Sequence, residues 1–164
     1  MPLNPAQLQT EILKLSTTNK PQNAAEAANK IAAAYEQYTL TAVAAGFPLL
    51  APGPGRAGMA SGLIGAFSTL PGAPPLVAQG FFAMVNLYWL GATFAAVPFP
   101  GIVAAPPAGA SALIPTLSGL LANPLNPAEL YAAQLALALD AATRTVLVTL
   151  PQPPPAPPLI VPVV

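Results

Sequence analysis

One stretch limits what the rest of the chain can become. Leu76 to Val97 (LVAQGFFAMVNLYWLGATFAAV) holds the only tryptophan and three of the six phenylalanines, and it carries no charge. It is long enough for a bilayer, which takes about 20 apolar residues as a helix, and it suits the buried helix of a folded domain equally well. Gln79, Asn86 and Thr93 recur seven apart. Heptad spacing places them on one stripe of a helix from Leu76 to Val97, drifting about 20° per step, while Phe81, Val85, Tyr88 and Ala92 take another face. Neither end carries a Lys or Arg to anchor and orient a span. The polar stripe and bare flanks predict a helix packed against protein. A small integral membrane protein with its span at 76–97 is the alternative.

Charge is scarce everywhere else too. Charged residues make up 6% of the chain, where about a quarter is usual for soluble domains, and 54% is hydrophobic. Such a chain is no disordered segment. It buries its apolar surface within itself, against copies or partners, or in lipid, because a free monomer exposing it would aggregate. Five basic and five acidic residues cancel, so no electrostatic footprint for nucleic acid exists, and little repulsion opposes self-association. The start, MPLNPAQLQTEILKL, lacks the basic, apolar and small-residue sections of a signal peptide, and the mature chain is expected to begin at or near Met1.

Capping chemistry sets out the helices. Asn4, Pro5 and Gln7 make a helix start, followed by Leu8, Ile12 and Leu15 at helical spacing. Asn23 with Glu26 opens a second helix, expected to run to about Ala45 with Gly46 as its C-cap. On it, Ile31, Ala34, Tyr35, Tyr38 and Ala42 mark one face, and Glu26 pairs with Lys30 four residues on. Phe47 to Gly58 reads as a Pro/Gly connection containing Arg56, the only charged residue between Glu36 and Glu129. An isolated cation there invites a role in anion or partner contact, although a solvated loop arginine is the commoner occurrence. Met59 to Leu70 predicts a short helix loosened by Gly62 and Gly65, broken at Pro71-Gly72.

After Val97 proline and glycine return, with Ile102-Val103 as a short extended piece and a helix within Ala110 to Leu121 near Pro115. Asn123-Pro124-Leu125 reads as a turn. Asn126, Pro127 and Glu129 then open a last helix, repeating the Leu-Asn-Pro-Ala of residues 3–6. That echo reflects shared capping chemistry and is too short to mark an internal repeat. Thr143 to Leu150, rich in β-branched residues, predicts a strand directly after that helix. The last fourteen residues, PQPPPAPPLIVPVV, predict an extended arm lying along a groove or sheet edge, with a neighbouring subunit as the natural host.

Little here can do chemistry. Histidine and cysteine are absent, which removes the usual general base, thiol nucleophile and transition-metal ligands. Glu129 and Asp140 lie far apart along one helix, about 16 Å at 1.5 Å per residue, too distant for a carboxylate pair. No phosphate-binding or dinucleotide glycine pattern occurs. Tyr35 and Tyr38 are expected to pack in the core with hydroxyls at its rim, and Asp140 with Arg144 forms a local helix pair. No catalytic, cofactor-binding or metal-binding residue is assigned, no cofactor is expected, and the chain is not expected to be an enzyme.

Two stretches, AAAYEQYTLTA (Ala32 to Ala42) and LALALDAATRTVLVTL (Leu135 to Leu150), carry a resemblance. With the capped first helix, the Gly/Ala/Pro-rich middle and the prolyl tail, the chain resembles small Ala/Pro-rich virion structural proteins of tailed bacteriophages, from the neck, tail or baseplate region. The resemblance implies a structural subunit assembled in the host cytoplasm and resident in the virion. Its partners would be copies of itself and neighbouring virion proteins, with no nucleic acid and no membrane. The expected fold is mainly α: a small bundle of five to six helices over residues 1–150, with a late short β-strand, and a proline-rich arm over 151–164 making contacts between subunits.

Overall fold

The computed structural model describes residues 3–53, 55–69, 73–123 and 125–164. The helix end expected at Leu70, the Pro71-Gly72 break, Pro124 of the following turn, and Met1 lie outside them.

Among the described residues, six helices and six short strands alternate in pairs. Helices α1 (Pro5–Thr17) and α2 (Ala24–Thr39) lead into strands β1 (Val43–Ala44) and β2 (Phe47–Ala51). Next come α3 (Gly55–Phe67), α4 (Pro74–Trp89), β3 (Thr93–Phe94) and β4 (Gly101–Ile102). A 3-10 turn (Ala108–Ala112) introduces α5 (Leu113–Leu121), then α6 (Ala128–Thr143), β5 (Leu147–Leu150) and β6 (Leu159–Pro162). The strands form one antiparallel sheet in chain order, and a bridge from Val163 back to Ala44 brings its two ends together. The result is a nearly closed barrel. A mainly helical bundle with one late strand is therefore the wrong description of this chain.

The pattern is one helix-helix-hairpin unit used three times. The second helices, beginning at 24, 74 and 128, are each 16 residues long, so a position in α2 recurs 50 residues on in α4 and 104 on in α6. Their exits match bond for bond. Leu40 N–H donates to Glu36 C=O, Leu90 to Asn86 and Arg144 to Asp140, each at 3.0 Å. Ala42 donates to Thr39, Ala92 to Trp89 and Val146 to Thr143 at 2.9–3.0 Å. Returning strands bond back alike, Leu49 to Ala42, Val103 to Ala92 and Val163 to Val146. The Leu-Asn-Pro-Ala echo is unrelated to this repeat, since it precedes the first helix of unit one and the second helix of unit three.

These exits correct several boundaries. Helix α2 stops at Thr39, and Ala45 (φ 49°) with Gly46 (φ 86°) forms the two-residue turn of the β1–β2 hairpin instead of a helix cap. Both central residues at positive φ suit the right-handed twist of the flanking strands. Helix α4 ends at Trp89, so the helix expected to run from Leu76 to Val97 is cut short and Thr93 joins a strand. No described helix is long and apolar enough to cross a membrane. Helix α6 begins one residue later than expected, with Pro127 at the cap, and the Asn126 amide donates to Leu120 C=O of α5 instead.

The tail is not a free arm. β6 pairs with β5 over four positions, and Val164 exchanges both backbone bonds with Val43. Continuing that register, Pro162 falls opposite the turn residue Ala45, beyond the end of β1, where its missing N–H leaves no partner unsatisfied. The barrel interior is filled by Ala44, Phe94, Val103, Val146, Val148 and Val163, all buried. It is packed tightly enough that a Cβ on Gly101 would lie 2.5 Å from Leu150 Cδ2.

Candidate functional site: a polar network where three helices meet

The C-terminal turns of α2, α4 and α6 meet in the core. Chain polarity dictates this: each second helix runs straight into a barrel strand, so the three exits must converge. Aromatic rings fill the junction, with Tyr88 edge-on to both Tyr35 and Trp89, at centroid separations of 5.4 and 5.2 Å. Such contacts add to simple burial.

Their polar ends form directed chains. Trp89 Nε1–H donates to Tyr35 Oη at 2.8 Å. Tyr35 lies 2.7 Å from Thr143 Oγ1, which itself donates to Leu139 C=O at 2.8 Å. Because the Thr143 proton is spent on that carbonyl, Tyr35 is the donor to Thr143. Thr39 Oγ1 likewise donates to the carbonyls of Tyr35 and Glu36, so it accepts from Tyr88 O–H at 2.6 Å. Tyr38 O–H donates to Asp140 Oδ1 at 2.6 Å, and the other carboxylate oxygen accepts from Arg144 Nε at 2.8 Å. Arg144 reaches on to Leu3 C=O, tying the first described residue to α6.

Burial raises the pKa of each phenol, since it disfavours the phenolate. Tyr88 is pushed up to about 12. Tyr35 and Tyr38 lie higher still, Tyr38 also because it donates to the Asp140 carboxylate. The hydrogen bond to Asp140 raises the Arg144 guanidinium. Burial and these hydrogen bonds keep the phenols protonated through the physiological range.

The tyrosine hydroxyls thus sit inside the core, not at its rim as expected. The local pairs form as expected, Asp140 with Arg144 and Glu26 with Lys30, the latter at 2.6 Å. Arg56 lies in the first turn of α3, not in a loop, exposed and 3.9 Å from Glu36. The intended stripe is dispersed: Gln79 is exposed on α4, Asn86 is half-buried and Thr93 stands in β3. Asn86 Oδ1 has no hydrogen-bond partner among the described residues. The repeat accounts for it. Asn86 corresponds to Asp140, which receives Tyr38 from another unit; the third unit has Ala142 at the position of Tyr38, without a hydroxyl to offer.

On the outside, each unit has a groove between its two helices. Lys30 crosses the first, bonding Asn19 and Glu26. At the second, α3 and α4 approach closely, with Gly80 so near Ala66 that a Cβ would lie 2.6 Å from it. The third, between α5 and α6, is open and apolar, about 560 Å³, lined by Leu113, Thr116, Leu137, Ala138 and Ala141. No cluster of three acidic residues capable of holding a metal occurs among the described residues. No family model, curated protein or solved structure matches the chain.

Proposed function

We propose that this chain is a structural subunit acting by packing against other protein, in the neck, tail or baseplate region of a tailed-phage particle. One observation carries the packing part. The barrel's outer face is without charge: Thr93, Ile102, Thr149 and Ile160 form a cross-strand row in which isoleucines alternate with threonines, with Leu147 and Pro162 beside it. Ile102, Leu147 and Ile160 are exposed, and an exposed apolar surface of this kind marks a contact site. The locked tyrosine network supports a scaffolding role over a chemical one. Placement in a phage particle is supported by the likeness in layout to Ala/Pro-rich virion proteins. The surface offered to neighbours is this barrel face, since the last residues of the tail are engaged by β5 and β1 of their own chain.

Light scattering coupled to size-exclusion tests the packing. The wild-type chain should run as an oligomer, and Ile102→Lys with Ile160→Lys should lower its mass. A wild-type monomer at every concentration refutes the proposal. Peptide mass spectrometry of purified particles tests the placement, and absence of the chain from them would remove the phage assignment alone.

A further inference from the structure

Charge divides the molecule along one axis. Helices pack on helices and strands pair with strands, so a helical tier stands on one end of the barrel. All ten charged residues belong to that tier, in its helices or in the turns and caps that join them. Residues 40–53, 90–107 and 145–164, which build the barrel, have none. In each unit the helices lead into and out of the same end of the hairpin, so the three hairpin turns lie at the far end. They are Ala45-Gly46, Ala95 to Pro100 (AAVPFP) and Pro151 to Pro158 (PQPPPAPP). Val97 and Phe99 are 82% and 61% exposed there, and Gln152 is the one polar side chain in these turns. Eight of the fourteen residues in the two longer turns are proline, which has no N–H. The amides of Ala95, Ala96 and Ala156 already donate to the carbonyls of Pro48, Phe94 and Pro153, at 2.8–3.1 Å.

We infer that this end of the barrel dips into the surface of a neutral lipid bilayer, with Val97 and Phe99 as its anchors. Lipid is the occupant that the charge and the backbone favour. A protein interface keeps a polar rim and about one hydrogen bond per 100–200 Å², which these turns are poorly supplied to make. Hydrocarbon penalises each unpaired backbone donor, and proline has removed most of them. With no cation in the turns to seek anionic headgroups, apolar burial alone drives the contact. It reaches one leaflet only, since a spanning strand needs about 9–11 residues and the longest described strand has five. Packing between copies uses the side of the barrel and leaves this end free for lipid. A membrane thereby joins the partners that the layout alone suggested.

Flotation of the full chain with phosphatidylcholine vesicles tests the contact. The wild-type chain should float with them, and neither high salt nor added phosphatidylglycerol should change the bound fraction. Val97→Asp with Phe99→Asp should lower that fraction about tenfold or more, because the burial of two apolar side chains is lost. Circular dichroism and the mass in light scattering should stay as in the wild type. Phe99→Trp should keep flotation and give blue-shifted emission when vesicles are added, a readout that remains if the aspartate variant misfolds. A wild-type chain that stays at the bottom of the gradient overturns the inference, as does undiminished flotation of the folded aspartate variant. Loss of mass by that variant, with no flotation of the wild type, would assign the turns to another copy instead. A wild-type monomer that floats overturns the packing role alone.

Discussion

Replacing Tyr35 by Phe removes one oxygen from the middle of the Trp89–Tyr35–Thr143 chain and almost nothing else. Ring packing against Tyr88 and Trp89 is kept, so the cost is nearly all hydrogen bonding. Trp89 Nε1–H, fully buried, loses its acceptor, and an orphaned buried donor costs about 1–3 kcal/mol. The bond to Thr143 contributes roughly a further 0.5–1.5 kcal/mol, although Thr143 keeps its own bond to Leu139 C=O. The expected loss is about 2–4 kcal/mol, which for a domain of this size lowers Tm by roughly 4–16 °C. Urea unfolding followed by tryptophan fluorescence and far-ultraviolet circular dichroism measures it. Thr143→Val breaks the same bond from the other side, so the double variant should lose less than the two singles together, by about 0.5–1.5 kcal/mol. A Tyr35→Phe loss below about 0.5 kcal/mol, or strict additivity with Thr143→Val, would refute a structural role for the network.

Alkali should unfold the chain before it titrates it. All four tyrosines have raised pKa values, Tyr88 and Tyr131 at about 12 and Tyr35 and Tyr38 above that. Their contribution to stability is complete below pH 10 and falls as pH rises from there towards the folded values, by about 1.4 kcal/mol per pH unit for each phenol. Absorbance at 295 nm should therefore stay flat through pH 10 and rise together with loss of ellipticity; a phenolate midpoint near 10 in the folded chain would contradict the burial. Asn86→Leu should stabilise the chain by about 1 kcal/mol, read as a higher urea midpoint, because it removes a buried carbonyl that has no donor. A clear loss of stability there would mean that Asn86 has a partner that the fold does not supply.

Much of the helical layout was legible because capping chemistry is local. Asn4 and Asn23 accept from the amides of Ala6 and Glu26 as their sequence neighbourhoods predict, and β5 follows α6 because Thr145 to Leu150 is rich in β-branched residues. The barrel was not legible, and strand length is the reason. β1, β3 and β4 pair over two residues each, too few for an alternating pattern to register against the apolar background. Strands this short hold because closure gives each one two neighbours. That information lies in residues as far apart in sequence as Val43 and Val164, and in no local window.

The network escaped for a related reason, and the repeat shows what signal was present. Tyr38-Thr39-Leu40-Thr41-Ala42-Val43, Tyr88-Trp89-Leu90-Gly91-Ala92-Thr93 and Ala142-Thr143-Arg144-Thr145-Val146-Leu147 are three versions of one helix-to-strand exit. Thr41 and Thr145 even make the same side-chain bond back into their helices, to the carbonyls of Tyr38 and Ala142. Read singly, the first two look like the continuation of an apolar helix. The third alone announces a strand, since valine replaces alanine at its fifth position. Placed at intervals of 50 and 54 residues, it marks the other two. The same register sets Glu26 and Lys30 against Leu76 and Gly80, and Tyr38 against Ala142. One threefold correspondence therefore links the barrel strands, the helix exits that feed them and the unpartnered Asn86 carbonyl.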